Sequence, residues 1–459
     1  MVYNAVGYEV DLVSLHARLP ERYPFLVESV ATGTPRSRFD ILFAYPGETL
    51  ILAADGRLLR DGVVIEDNDF LAALDRWWVS CGVAPEDSNG WAPFTGGWFV
   101  YLGYELAGQV EPVVGVGEIE YPWPIAAAVR IPAAIVRDHA QNRACAIAEP
   151  GYEPLIDVLM TDAAAAKCPS RPPQCTGSGS TPGGAMAEED PARFLEGVER
   201  IKRYIRDGDV FQVNLSRGWR GRLLANTGTE TLYRRLRASN PAPFAGSARF
   251  GDMSILSSSP ERLYSVRGPR VETRPIAGTH PRNADAERDR ALSEAMLAHP
   301  KERAEHIMLI DLERNDLGRV CRAGSVEVNE LMVLESYTHV HHIVSNVRGM
   351  LRAGTRPGEV IRAVFPGGTI TGCPKVRCME IIRELERVRR GPYTGAFGYL
   401  NRNGDADFNI LIRTLVTHGR DVVLRAGAGI VADSVAEREL NETRQKARGP
   451  LRALSGLVE

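Results

Sequence analysis

The sequence predicts an α+β sandwich. Three observations carry this. Short strand-like runs dominate the chain, among them "FDILFAY", "AAIVRDH", "SILSSS", "DFNILIRTLV" and "DVVLRAGAGIV". Long helical patterns are few. No regular βαβ alternation is present, so a parallel doubly wound sheet is disfavoured. A chain of 459 residues with 44% hydrophobic and 25% charged residues has the composition of a soluble globular protein and buries a large core unaided.

Taken in order, residues 1–160 form an N-terminal region expected to pack on the core. Thr161 to Asp190, "TDAAAAKCPSRPPQCTGSGSTPGGAMAEED", is rich in Ala, Pro, Gly and Ser without periodicity and reads as a flexible connector (161–190). Residues 191–459 form the second region. It opens on a helix, with Asp190 as cap, Pro191 in the first turn, and Phe194, Leu195, Val198, Ile201 and Ile205 at helical spacing up to Gly208. "DVFQVNLSRGW" follows as a strand, its apolar residues alternating with polar ones. A long helix is expected from Glu287 to Asp311, interrupted near Pro300. A last helix begins at "DSVAERELNETRQKA", where Ser434 and Glu437 make a capping box.

The bulk properties exclude several classes. A net charge of −3 without a basic run argues against a nucleic-acid partner. No apolar run reaches the roughly 18 residues that span a bilayer. The N-terminus lacks the basic and apolar regions of a secretory signal. Seven cysteines, with no C-x-x-C pair, fit neither a disulfide framework nor a zinc site and suit a reducing compartment. The expectation is a cytoplasmic protein.

Several constellations can carry chemistry. Glu302 and Glu305 share one face of a predicted helix, and Glu439 and Glu442 share another, with Lys446 one turn beyond. Such pairs also occur on solvated helices. If the two helices converge, their carboxylates suit a hard cation such as magnesium, which keeps positions open for a substrate carboxylate. Gly427 and Gly429 precede the last helix, where backbone can approach an anion. Arg413 sits in the apolar run "LIRTL", either facing water or paired with an anion. "HVHHIVSNV" holds His339, His341 and His342; strand alternation splits them, leaving at most one for a site. Glu261, in "SSSPERL", is either a surface-turn residue or a general acid with a raised pKa.

Together these pieces resemble the chorismate-utilising enzyme family. The resemblance covers nearly all of Asp190 to Leu454. It rests on "GDVFQVNLSR", "SSSPERL", "RPIAGT", "KERAEHIMLIDLERNDLGRV", "VHHIVS", "FPGGTITGCPKVRCMEII", "GPYTGAFGY", "NILIRT", "GAGIVADS" and "ERELNETRQKA", in one order. "PFLVES", "SRFDILFAYP" and "GGWFVYLGYEL" extend it more loosely to the N-terminal region. The resemblance implies an α+β, anthranilate-synthase-like complex sandwich of antiparallel sheets packed face to face, with helices on the outside. It implies Mg2+ held by Glu305 and Glu442, with Glu302 and Glu439 around them, and the ring carboxylate of chorismate on the metal. Arg413 and Tyr393 are implied to hold the enolpyruvyl carboxylate, aided by backbone at Gly427 and Gly429. Lys446 falls near the metal end. His342 and Glu261 fall at the departing hydroxyl, with Glu261 as its proton donor. Gly278 and Thr279 fall against the ring.

The family divides by nucleophile. Its hydrating members carry a lysine base in the strand reading "QVNLSR" here, where this chain has Gln212. A neutral amide cannot deprotonate water, whereas uncharged ammonia needs no such base. Two ammonia-using branches remain, one yielding anthranilate and one 4-amino-4-deoxychorismate, the precursor of 4-aminobenzoate and folate. Many members of the second branch carry a nucleophilic lysine where this chain has Ala277, which favours the first branch. "SSSPERL", the lack of a Pro-Tyr-Met run in "SNPAPFAGS", and "SRFDILFAYP" favour the second, which is the expectation here. A tryptophan pocket is implied around Ser29, Pro241 and Phe244. No cysteine-centred nucleophile elbow is evident, so a separate glutamine amidotransferase subunit would supply ammonia. A reading from another class is an inactive tryptophan-binding regulatory subunit; the retained carboxylates, Arg413, His342 and Lys446 count against it.

Overall fold

The computed structural model of the chain describes residues 2–31, 37–82, 91–115, 117–166, 186–224, 227–283, 285–298, 300–336 and 340–455. Two antiparallel sheets of 12 strands each form the body. The first runs Val2–Val6, Arg143–Ala148, Ala133–Asp138, Phe39–Ala44, Phe25–Glu28, Phe244–Phe250, Met253–Ser259, Thr414–His418, Asp421–Ile430, Gln212–Arg222 and Ala187–Glu188, with Gly372–Cys373 beside Gln212–Arg222. The second runs Ile276–Pro281, Val340–Met350, Arg270–Thr273, Arg262–Arg267, Ala406–Asn409, Ala396–Asn401, Gly97–Leu102, Ala126–Ile131, Thr49–Leu52, Leu58–Arg60 and Val63–Val64, with Glu327–Ser336 beside Val340–Met350. Each sheet draws strands from both sides of the connector. Phe25–Glu28 pairs with Phe244–Phe250, and Gly97–Leu102 with Ala396–Asn401.

The inner faces meet in an aromatic core. Phe25 and Phe43 from the first sheet pack against Phe99, Phe397 and Tyr399 from the second. The Phe25 and Phe99 rings stack with centroids 4.0 Å apart. Alternation along Gly97–Leu102 explains its unbroken apolar run: Phe99 and Tyr101 face the first sheet, while Trp98, Val100 and Leu102 face helices on the other side. Truncating Phe99, which is fully buried, should therefore cost about 3–5 kcal/mol in Phe99→Ala, read as a lower denaturation midpoint at unchanged m-value.

The same alternation positions the site. Helices Pro191–Arg206, Lys375–Glu386 and Ala436–Ser455 cover Val213, Leu215, Ala428 and Ile430. Gln212, Asn214, Gly427 and Gly429 are thereby turned to the opposite face. Helix Pro300–Gly318 packs on Val340–Met350 and Ile276–Pro281, and its His306 bonds Ser345 at 2.6 Å.

Several expectations are corrected. The helix expected over 287–311 does break near Pro300, into Ala286–Ala298 and Pro300–Gly318, because proline suits the first turn of a helix and not its interior, but the second part runs past Asp311 to Gly318. "DFNILIRTLV" is not one strand: Ala406–Asn409 belongs to the second sheet and Thr414–His418 to the first, and the chain crosses between them at residues 410–413. The connector is narrower than 161–190. Helix Leu155–Ala165 enters it, Ala187–Glu188 pairs with Gln212–Arg222, and residues 167–185 lie outside the described set. Asp190 does cap its helix, accepting from the Ala192 amide at 2.9 Å. Ser434 does not cap the last helix as expected; its hydroxyl accepts from the Val431 amide at 3.1 Å, in the turn before that helix begins at Ala436.

Among the described residues no helix is long and apolar enough to cross a membrane. Cys81, Cys145, Cys321, Cys373 and Cys378 are free thiols.

Candidate active site

The floor of the site is the strand pair Gln212–Arg222 and Asp421–Ile430, in which Asn214 opposes Gly429 and Ser216 opposes Gly427. A Cβ on Gly429 would lie 2.4 Å from Gln212 Nε2 and 3.6 Å from Glu305 Oε1. On Gly427 it would lie 2.7 Å from Asn214 Oδ1 and 2.8 Å from the Tyr393 hydroxyl. Neither glycine has positive φ, so both are needed for close approach and not for a turn.

Two helices bring acids to this floor. Gln212 donates through Nε2 to Glu305 Oε1 at 3.1 Å. Lys446 donates to the Gly427 carbonyl at 3.0 Å and pairs with Glu442 at 2.7 Å. Glu305 and Glu442 thus approach one glycine pair from two directions. Their oxygen donors fit a hard cation, for which one or two carboxylates plus water and substrate suffice. Among the described residues no three His, Cys, Asp or Glu side chains form a ligating group. Glu439 is half-buried. The side chain of Glu302 lies outside the described set, as do those of Ala277 and Thr279, and His339 entirely.

The far wall is made where the chain crosses between sheets. Arg413 occupies the last crossover position with φ 51°. That left-handed conformation is uncommon for a non-glycine residue and lets the side chain leave the strand direction. No described carboxylate pairs with its guanidinium. Burial lowers its pKa, opposed by the nearby Glu261 and Tyr393. An arginine so placed is a ready seat for a carboxylate. Tyr393 is buried beside it and its hydroxyl is pushed up to about 12, mainly by burial, so it stays a neutral donor.

Glu261 lies between strands Met253–Ser259 and Arg262–Arg267, yet it is 5% exposed, which corrects the surface-turn alternative. Its amide is held by Ser259 Oγ at 3.2 Å and its carbonyl by the Ile410 amide at 3.0 Å. Burial pushes its pKa up to about 7, against Thr369, Arg413 and Lys446, which favour the charged form. Thr369 lies beside the carboxyl without a well-formed hydrogen bond. Such a group is a proton donor poised at neutral pH.

The three-histidine run is split by strand alternation. His341 bonds Asp289 at 3.0 Å and Ser336 at 2.7 Å, a structural role. His342 turns to the site, where burial and then Arg413 push its pKa down to about 3, against a bond to Gly278 backbone. At pH 7 it is a neutral imidazole. Gly278 sits at φ 73° in a bulge: Ala277 opposes Ile343, and Thr279 opposes His342.

Sequence reasoning missed three groups. Thr369 carries no signal beyond its place in "GGTITG". Asn214 shares the strand face of Gln212, but only the pairing with strand Asp421–Ile430 brings it to the site. Glu313 is buried behind Glu261, its pKa pushed up to about 8 by burial and by Asp316, while Lys375 opposes this.

A second cavity, of about 280 Å³, lies between the sheets away from these groups. Its lining includes Glu28, Ser29, Pro243, Phe244, Arg262 and Asn409. The expected Ser29 and Phe244 are in the wall; Pro243 is there instead of Pro241. Ser29 Oγ donates to the Pro243 carbonyl at 3.2 Å.

A buried acid, Glu261, an arginine with no carboxylate partner among the described residues, Arg413, and two glutamates, Glu305 directly and Glu442 through Lys446, thus surround a glycine floor. The family model for chorismate binding enzymes matches residues 62–452, and the chain belongs to that family. Within it, the chain is 40% identical over 404 residues to aminodeoxychorismate synthase component 1 of Bacillus subtilis (strain 168), covering 86% of this chain and 84% of that protein. It is also 40% identical over 447 residues to anthranilate synthase component 1 of Thermus thermophilus, covering 96% and 95%. Among solved structures, anthranilate synthase component I from Streptococcus pneumoniae TIGR4 superposes with a TM-score of 0.79 at 32% identity, over 92% of this chain and 93% of that one.

Proposed function

We propose that this chain aminates chorismate as an aminodeoxychorismate synthase component I. The overall change is chorismate plus ammonia to 4-amino-4-deoxychorismate plus water. One observation carries the choice of amination over hydration: a buried acid, Glu261, whose pKa burial pushes up to about 7, stands at one end of the site, while the base position at the other end is a neutral amide, Gln212, held by Glu305. An acid is there to protonate a departing hydroxyl, and no base is there to activate water.

Chorismate would lie with its enolpyruvyl carboxylate on Arg413 and Tyr393, over backbone at Gly427. Its ring carboxylate would face Glu305, Glu442 and Lys446. Those two glutamates, with Glu302 and Glu439 around them, would hold magnesium, which when bound would fix and polarise the ring carboxylate. Glu261 would give its proton to the ring hydroxyl, which leaves as water, and neutral His342 would hydrogen-bond that hydroxyl. The incoming nitrogen loses one proton in exchange. Likeness to the Bacillus subtilis synthase, together with the "SSSPERL" and "SNPAPFAGS" stretches, supports the 4-amino product. Ala277 favours the second reading, anthranilate synthase, because no lysine is present there to form a covalent adduct.

The test is product identification with chorismate, magnesium and an ammonium salt at alkaline pH. The proposal expects a chorismate-sized amine that becomes 4-aminobenzoate only when aminodeoxychorismate lyase is added. Anthranilate and pyruvate without the lyase would establish the second reading. The "component 1" in the relatives' names supports a partner subunit that releases ammonia. The isolated chain should accordingly use ammonium salts but not glutamine; glutamine-driven turnover by this polypeptide alone would refute the partner. The cavity at Ser29 and Phe244 supports a bound amino acid such as tryptophan, testable by calorimetric titration.

A further inference from the structure

We propose that Gln212 and Asn214 form a seat for ammonia, built from two buried carboxamide oxygens that lack a hydrogen-bond donor. The inference rests on the amination reading above. Gln212 is 4% and Asn214 8% exposed. Among the described residues, Gln212 Oε1 and Asn214 Oδ1 are buried side-chain acceptors with no hydrogen-bond partner. A buried acceptor left unpaired costs about 1–3 kcal/mol, so two of them on one strand face point to a ligand.

The orientation of Gln212 is fixed. Its Nε2 is committed to Glu305 Oε1 at 3.1 Å, so its oxygen must face away from that carboxylate. Asn214 is anchored through its backbone, its amide donating to Thr371 at 2.9 Å and its carbonyl accepting from Arg390 at 2.8 Å. Its Oδ1 points over Gly427, next to the Tyr393 hydroxyl. The two residues are one strand repeat apart, about 7 Å between Cα atoms, on the face that carries the substrate floor. The missing partner must be a donor. The carboxylates of chorismate only accept, and its ring hydroxyl belongs at the Glu261 end. Ammonia presents three N–H donors and one lone pair. Two acceptor oxygens bind its hydrogens and leave the lone pair free toward the ring. Water, with two donors and two lone pairs, gains less from an acceptor-only seat. The seat therefore selects the nucleophile by hydrogen-bond polarity, without a covalent lysine.

The test is steady-state kinetics of the full chain with chorismate, magnesium and ammonium chloride. Asn214→Leu, close to isosteric and without acceptors, should raise the KM for ammonium about tenfold or more. The KM for chorismate should stay within about twofold. Asn214→Asp keeps an oxygen at the same place and should leave the ammonium KM within a few-fold of wild type. If Asn214→Leu does not fold, as judged by circular dichroism, Asn214→Ala carries the same test. An unchanged ammonium KM, a rise only in the chorismate KM, or an Asp variant as impaired as the Leu variant would overturn the seat while leaving amination intact. A wild-type chain that converts chorismate without needing ammonium would instead overturn the functional reading itself.

Discussion

Glu261→Gln should lower kcat by about 10²–10⁴-fold while leaving the fold intact. The carboxyl is buried, stands between two sheets, and has its pKa pushed up to about 7. It donates only when protonated, so wild-type kcat should fall as pH rises past about 7. The glutamine variant should lack that alkaline limb and keep only residual turnover. Stability should move the other way. With its folded pKa above its unfolded value of 4.5, the Glu261 carboxyl contributes stability that is fully present below pH 4.5. That stability is lost as pH rises through about 7. At one pKa unit per 1.36 kcal/mol, the loss by pH 8 is on the order of 3 kcal/mol. Glutamine mimics the neutral acid, so Glu261→Gln should melt higher than wild type at pH 8 and nearly equal to it at pH 4. A variant both inactive and less stable at pH 8 would mean that Glu261 is ionised in the resting site. Its role would then be to counter Arg413 and not to donate a proton.

The sandwich was legible because its signals are local and periodic. Short alternating runs separated by turns can only be antiparallel strands at this density, and the acid pairs at i,i+3 announce helix faces. Long-range facts were less accessible. Nothing local in "NILIRTL" says that residues 410–413 leave one sheet and join the other. The run is apolar throughout because both ends are buried, and only the crossover turns Arg413 into the site. Glu261 was ambiguous for a related reason: a Pro-Glu-Arg turn looks solvent-facing until strand Ala406–Asn409 lies over it. The start of the expected connector was overread because its alanines are good helix formers, and they complete helix Leu155–Ala165. The split histidines were readable, since alternation alone separates His341 from His342. Asn214 needed the register of its partner strand, which sets it opposite Gly429 with its Oδ1 beside Gly427, and no single sequence displays register.

Glu305→Gln and Glu442→Gln should each lower kcat/KM at least about a hundredfold, because each would remove a ligand of the magnesium proposed to fix and polarise the substrate carboxylate, worth several kcal/mol. The two variants should differ in how they fail. Glu305 also holds the Gln212 amide, and a glutamine there retains one carbonyl acceptor for it. The floor should therefore keep its shape, and the defect should appear as a weaker magnesium requirement curve with a higher midpoint. Glu442 pairs with Lys446, whose ammonium also holds the Gly427 carbonyl. Removing its charge frees Lys446 to pair directly with an incoming carboxylate. The chorismate KM should then rise less than kcat falls, because binding retains a cation while polarisation is lost. Magnesium titration followed by calorimetry on the free protein gives a readout independent of turnover. Both variants should show weakened binding, whereas Lys446→Met should bind the ion at least as well as wild type, since a competing cation has been removed. If Glu305→Gln and Glu442→Gln bind magnesium and turn over like wild type, the two helices supply an ordinary solvated charge pattern and the carboxylate end of the site must be held by other residues.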